Sequence, residues 1–160
     1  MTHRSNPKQN EELDIVFMQA ALQEAQKAAA CNEVPIGAVV VAQSQIIARA
    51  HNQVEQLNDP TAHAEMMAIT AATTHLQNKY LNHCTLYVTL EPCPMCSGAL
   101  FWAQLKRLVF GTTDPNKGYQ TFKPNLLHPK TEVTSHILSQ ESCSLLTGFF
   151  KQRRKIILQP

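Results

Sequence analysis

Three side chains of the kind that hold zinc stand in two short motifs, His63-Ala64-Glu65 and Pro92-Cys93-Pro94-Met95-Cys96. One imidazole and two thiolates are donors that zinc takes in tetrahedral sites. Three protein ligands leave the fourth position for water, which is the arrangement of a catalytic rather than a structural zinc. Cys93 and Cys96 lie three apart at a predicted helix start, so they share nearly one face and can chelate a single ion. One zinc per subunit is therefore expected, with His63, Cys93 and Cys96 as its ligands. Glu65 is the expected catalytic residue, a carboxylate placed to take a proton from a water that the metal activates. Each motif alone is weak. A C-x-x-C also serves as a redox pair or as half of a structural zinc site, and His-x-Glu on a helix says little. No second C-x-x-C completes a ribbon or finger, and a redox reading leaves His63-Ala64-Glu65 unexplained.

The elements that must position these residues follow from periodicity. Leu13, Val16, Phe17, Ala20, Leu22, Ala25, Ala28 and Ala29 recur at helical spacing and predict a helix over 10–30. The apolar, β-branched run 35–41 reads as a buried strand, and 46–52 returns from it as a hairpin across Gln43-Ser44-Gln45. After a loop at 54–59, Asp59-Pro60-Thr61 is a helix-start signal for a helix over 63–76. His63 and Glu65 then share its first turn, where residues two apart point roughly 200° apart. They can face one ion only if it sits at the open end of the helix. A strand over 85–90, a helix over 96–103 and a strand over 107–110 come next. The stretch 112–129 reads as a long loop, of the kind that is often functional. A weak strand over 132–137 and a helix over 139–158 close the chain. This order predicts an α/β fold, a three-layer α/β/α sandwich with a central mixed sheet of about five strands.

Composition sets the outer bounds. The chain has 160 residues, of which 44% are hydrophobic and 16% charged, so one domain over 11–158 is expected, preceded by a disordered tail over 1–10. No apolar run approaches membrane-spanning length, so no membrane partner is expected. The odd count of five cysteines, with spacing unlike a disulfide frame, fits a reducing, cytoplasmic compartment, and Cys31, Cys84 and Cys143 are expected to be buried or inert thiols. Charge is uneven. Residues 1–100 carry five Lys/Arg against nine Asp/Glu, whereas 101–160 carry nine against three. A polyanion could approach the basic half.

His-x-Glu with Pro-Cys-x-x-Cys matches the signature of zinc nucleobase deaminases, and the chain is similar to the cytidine deaminase superfamily. Within it, 11–156 resembles bacterial tRNA-specific adenosine deaminases of the TadA type. The resemblance rests on Asn32-Glu33-Val34-Pro35-Ile36-Gly37-Ala38-Val39, Asn58-Asp59-Pro60-Thr61-Ala62-His63-Ala64-Glu65, Leu86-Tyr87-Val88-Thr89-Leu90-Glu91-Pro92-Cys93-Pro94-Met95-Cys96 and Phe149-Phe150-Lys151-Gln152-Arg153-Arg154. It implies a cytidine deaminase-like fold and a homodimer that binds a tRNA anticodon stem-loop. The reaction implied is hydrolytic deamination of adenosine to inosine at the wobble position, with water attacking carbon 6 and Glu65 as proton shuttle. It implies a substrate-binding role for Asn52 and for Asp114, against turn-forming roles for both. RNA contact is expected from Lys151, Arg153, Arg154, Phe149 and Phe150, with Lys155 beside them. Departures are His51 before Asn52, Gly148 before the Phe pair, and the 117–130 stretch. Phe101-Trp102-Ala103 is similar to guanine deaminases, so a free-base or nucleoside deaminase of the same fold stays open. So does a non-catalytic RNA-binding subunit with structural zinc.

Overall fold

Side chains of a strand alternate between faces, and here both faces are apolar, which demands a covering layer on each. The computed structural model describes residues 7–157. Its five strands are β1 (Gly37–Ala42), β2 (Gln45–His51), β3 (Cys84–Leu90), β4 (Arg107–Thr112) and β5 (Glu132–Ser135). They form one sheet in the order β2-β1-β3-β4-β5. β1 runs antiparallel to β2 and β3, while β3, β4 and β5 are mutually parallel, so the sheet is mixed as predicted. Val39, Val41, Tyr87 and Val109 pack against Phe17, Met18, Ala20 and Ala21 of the helix α1 (Pro7–Ala30). Ala38, Val40, Leu86, Val88, Leu108 and Phe110 turn the other way, onto Ala64, Ala68 and Ala72 of α3 (Ala64–Leu76) and Leu100 of α4 (Pro94–Trp102). Full burial of each large side chain contributes roughly 1.5–3 kcal/mol. The last helix, α5 (Ser139–Ile157), lies on the α1 side against β4 and β3.

Several boundaries differ from expectation. α1 begins at Pro7, so 7–9 of the expected tail are helical, while 1–6 lie outside the described residues, as does 158 at the expected domain end. The expected loop at 54–59 contains a short helix, α2 (Val54–Leu57), closed by Asn58 in the left-handed region at φ 50°. Asp59-Pro60-Thr61 does not cap α3. The Asp59 carboxylate accepts the N–H and the hydroxyl of Thr61, both at 2.8 Å, and so closes a local turn. The long loop is present, interrupted by a 3-10 turn at Tyr119–Thr121 and pinned by buried Tyr119 and Leu127.

The α1 layer is locked to the sheet at two points. Gly37 lets α1 come so close that any Cβ there would collide with the backbone at Ala21 and Ala25. At the other end of the sheet, Arg107 donates to both oxygens of buried Asp14 (2.8 and 2.6 Å), and the Tyr87 hydroxyl donates to the same carboxylate at 2.7 Å. A buried pair satisfied on every side fixes register more than it adds net stability.

The hairpin forms without glycine. Ala42 pairs with Gln45, leaving Gln43 and Ser44 as a two-residue loop, both with positive φ (49° and 60°). Positive φ at both positions is the type I′ geometry, which matches the twist of the strands but suits Asn-Gly better than Gln-Ser. Ser44→Gly is therefore expected to stabilise the fold by roughly 0.5–1 kcal/mol, since relief of left-handed strain exceeds the added entropy of the unfolded chain. A higher urea midpoint at unchanged m value checks this; a lower midpoint contradicts it.

Candidate active site

Both metal-type motifs open helices. His63 is the N-cap of α3 (φ −71°, ψ 151°), and Cys93 is the N-cap of α4 (φ −71°, ψ 169°). The helices begin at Ala64 and at Pro94, not at His63 and Cys96. An N-cap residue has extended backbone and normally covers the free amides with its own side chain. Neither His63 nor Cys93 does so. Their side chains are instead turned toward each other. The extended backbone at His63 also removes the geometric conflict with Glu65, because only Glu65 obeys helical spacing. Cys96 occupies the third helical position of α4. N-cap and third-position side chains meet in an ordinary capping box, and here two thiols take those places. Pro94 at the first helical position presets that turn.

His63, Cys93 and Cys96 each bring one donor atom, and the three atoms lie within 4.8 Å of one another. The Nδ1 atom of His63 is 3.7 Å from the Cys93 sulfur and 3.6 Å from that of Cys96. Zinc–nitrogen and zinc–sulfur bonds of tetrahedral angle give an N–S edge of about 3.6 Å, so the donor set fits zinc in both kind and spacing. The Cys93 thiol is pushed down to about 4, first by its hydrogen bond with Cys96, then by His63, against the cost of burial. Thiolate character is what a zinc ligand needs, and two helix amino termini favour it.

Glu65 is 3% exposed, and its Oε2 has no hydrogen-bond partner among the described residues. Burial pushes its carboxyl up to about 7, although its own backbone N–H, His63 and Cys96 pull the other way. A carboxyl poised near neutrality can both accept and return a proton.

Asn52 lies directly after β2 and is 4% exposed. Its Oδ1 accepts the N–H of Ala64 at 2.8 Å, so it is Asn52, twelve residues away, that caps α3. With the oxygen committed, the amide NH2 is what remains to a ligand. Asn52, His63, Glu65 and Cys93 line one cleft of about 550 Å³. One wall is Glu33, Val34, Ile36, Val54 and Glu55; the other is the run 112–117; Cys143, Leu146, Thr147 and Phe150 of α5 close the side. Such a volume suits a nucleoside-sized ligand.

The remaining predicted residues divide. Asp114 lines the cleft, but its Oδ1 accepts the N–H groups of Asn116 and Lys117 (3.0 and 2.9 Å), the turn-forming role. Phe150 reaches the cleft. Phe149 and Arg153 face a separate groove against the end of α1, with the Arg153 guanidinium 5.4 Å over the Phe149 ring. Consecutive helical positions point about 100° apart, which is why the Phe pair splits. Lys151, Arg154 and Lys155 are exposed on α5. Of the other thiols, Cys84 is buried, and burial pushes it up. Cys31 and Cys143 are exposed, so of the three thiols expected to be buried or inert only Cys84 is buried, and Cys143 borders the cleft. Sequence reasoning passed over three residues here. Glu33 is 1% exposed and accepts the Gln56 N–H at 2.7 Å; Glu91 holds the opposite wall; Lys117 stands in the cleft as its one Lys or Arg among the described residues. For Glu33 and Glu91 the available signal was an acidic residue one or two positions before a proline at the edge of an apolar run; Lys117 carried none.

The family model for the cytidine and deoxycytidylate deaminase zinc-binding region matches residues 11–112, which hold both motifs. A tRNA-specific adenosine deaminase of Aquifex aeolicus (strain VF5) is 43% identical over 148 residues, covering 89% of this chain and 97% of the relative. One from Bacillus subtilis (strain 168) is 44% identical over 147 residues, covering 89% and 91%. A solved structure described under A-to-I editing by tRNA:A34 deaminases at the wobble position superimposes with a TM-score of 0.77 at 41% identity, covering 82% of this chain and 99% of that one. With the family model matched over 11–112 and relatives 43% and 44% identical over 89% of its length, the chain belongs to the zinc-binding cytidine and deoxycytidylate deaminase family.

Proposed function

We propose that this protein deaminates adenosine to inosine at the wobble position of a tRNA anticodon, with residues 11–158 acting as one unit. The observation that carries the chemistry is the meeting of buried Glu65 with His63, Cys93 and Cys96 in one cleft. The choice of substrate is supported by relatives at 43% and 44% identity that are tRNA-specific adenosine deaminases. His63, Cys93 and Cys96 would hold zinc, which when bound supplies Lewis acidity that makes water a nucleophile at neutral pH. The target base leaves the anticodon stack, at a cost of a few kcal/mol or less, and enters the cleft. Asn52 offers its NH2 to a ring acceptor. Glu65 takes the proton that the attacking water sheds and gives it to a ring nitrogen beside carbon 6. It then carries a second proton to the departing amine. Water is consumed, ammonia leaves and inosine remains.

Lys151, Arg153 and Arg154, with Lys155, are proposed to meet RNA phosphates, and Phe150 to border the bound base. A cytoplasmic homodimer is part of the proposal. Trp102, 78% exposed beside Phe101 and Met95 on α4, supports a second copy as its cover, since apolar patches of this kind mark interaction sites. No helix among the described residues is long and apolar enough to cross a membrane.

The test is inosine formation from a stem-loop with adenosine at the wobble position, run beside free adenosine, guanine and cytidine. Turnover confined to the stem-loop is expected. Turnover of guanine instead would give the free-base reading, and binding without turnover the RNA-binding-subunit reading. Affinity for the stem-loop should fall as salt rises. The triple variant Lys151→Ala, Arg153→Ala, Arg154→Ala should flatten the log–log slope by about 2, as for the loss of about three single-strand phosphate contacts. An unchanged slope would remove these residues from the RNA interface.

A further inference from the structure

Glu91 is 3% exposed, belongs to neither motif and directly follows β3, immediately before Pro92-Cys93. A buried carboxylate is retained only where its charge is met. Here it is met by backbone amides of one loop. Oε2 accepts the N–H of Asp114 at 2.9 Å, and Oε1 accepts the N–H of Gln120 at 3.0 Å. The main chain adds two clasps, Glu91 N–H to the Thr112 carbonyl (2.8 Å) and Tyr119 N–H to the Pro92 carbonyl (2.9 Å). Within the span they bracket, 112–117 is the cleft wall opposite Glu33. Gly118 is the residue that lets the carboxylate in. A Cβ there would collide with the Glu91 carboxyl carbon and Oε2.

We propose that Glu91 is a positioning residue for the substrate, holding the 112–120 loop as the wall against which the target nucleotide and its neighbours are bound, with Gly118 as its required partner. The inference rests on the deaminase reading above. Glu91 borders the cleft, but both its oxygens are committed to the loop, so its effect is on the wall and not on the reacting atoms. Glutamine keeps the shape of the side chain but replaces one acceptor with an NH2 that must face an N–H. One clasp is then lost and one donor is set against another.

The experiment compares wild type, Glu91→Gln, Gly118→Ala and the double variant as zinc-loaded full-length proteins. It reads zinc content, kcat and KM on the stem-loop. Each single variant should keep one zinc per chain and raise KM by about tenfold or more, with kcat changed much less. The double variant should be no worse than the worse single, because both break the same clasp. A fall in kcat at unchanged KM, loss of zinc, or additive losses in the double would overturn the proposal. A wild type without turnover on the stem-loop would defeat the substrate reading instead. The clasp is then read by trypsin cleavage after Lys117 in the folded proteins, which should quicken by about tenfold in both singles; equal rates would overturn the clasp itself.

Discussion

Glu65→Ala is expected to lower kcat by about a thousandfold, roughly 4 kcal/mol of barrier, while the protein keeps one zinc per chain. The two halves of that result come from different residues. Zinc retention follows because the donors are His63, Cys93 and Cys96, with His63 Nδ1 3.7 and 3.6 Å from the two sulfurs, and Glu65 is not one of them. His63 is set by its own extended backbone, and the first amide of α3 is held by Asn52. The loss of rate follows because Glu65 is the buried carboxylate of the cleft with an oxygen left without a hydrogen-bond partner among the described residues, whereas Glu55, also in the lining, is exposed. Glu33 and Glu91 accept backbone N–H groups, and Asp114 closes its turn. Stability should move the other way. Glu65 is buried with one oxygen unsatisfied, and keeping it there costs free energy that the fold recovers when the carboxyl is removed. Glu65→Gln, which fills the same space without charge, should therefore unfold at a higher temperature than wild type and be equally inactive. A raised midpoint with lost activity marks a residue held for chemistry. Turnover within tenfold of wild type, or zinc lost along with activity, would remove Glu65 from the proton-shuttle role.

The elements that carry the site were legible because their signals are local. The continuous apolar runs through Val39-Val40-Val41 and Leu86-Tyr87-Val88 read as strands, and the two faces of each are covered by α1 and by α3 with α4. The motifs were legible because zinc demands few residue types at short spacing. Two things escaped, for different reasons. The exact helix starts escaped because Asp59-Pro60-Thr61 offers a sound local cap, and a tertiary partner, Asn52, took the position instead. Asn52 was expected either to bind the base or to form a turn; it caps a helix from twelve residues away, and no local pattern encodes that. The roles of Glu33 and Glu91 escaped for the same reason, since each meets amides more than twenty residues along the chain. The basic carboxyl-terminal run was legible as a run, but its division between cleft and groove was not. Phe149 and Phe150 read as one unit in sequence, and the helix turns them onto different surfaces.

Cys96→Ala is expected to abolish turnover altogether, because it removes a metal ligand rather than a proton carrier. Zinc affinity should fall by well over about 100-fold, the upper range for loss of a mere supporting contact. Cys96 is fully buried at the third position of α4, and its sulfur is near both His63 Nδ1 and Cys93. Without it, two donors remain, and Cys93 loses the partner that does most to lower its thiol. The fold should survive, since α4 is held by Leu100 within the apolar cluster under the sheet. Its melting temperature should nonetheless fall, by the share of stability that bound zinc supplies to the native state alone. That share can be isolated. Wild type stripped with a chelator should be as inactive as Cys96→Ala and melt slightly above it, the gap being the packing lost with the thiol, and added zinc should restore only the wild type. Cys84→Ala supplies the control for a deleted buried thiol. Cys84 is equally enclosed in β3 but lies outside the donor set, so this variant should lose some packing energy and no zinc. If Cys96→Ala kept its zinc, or Cys84→Ala lost it, the donor set would be wrong. The distinction between the two outcomes does not depend on which base the enzyme accepts.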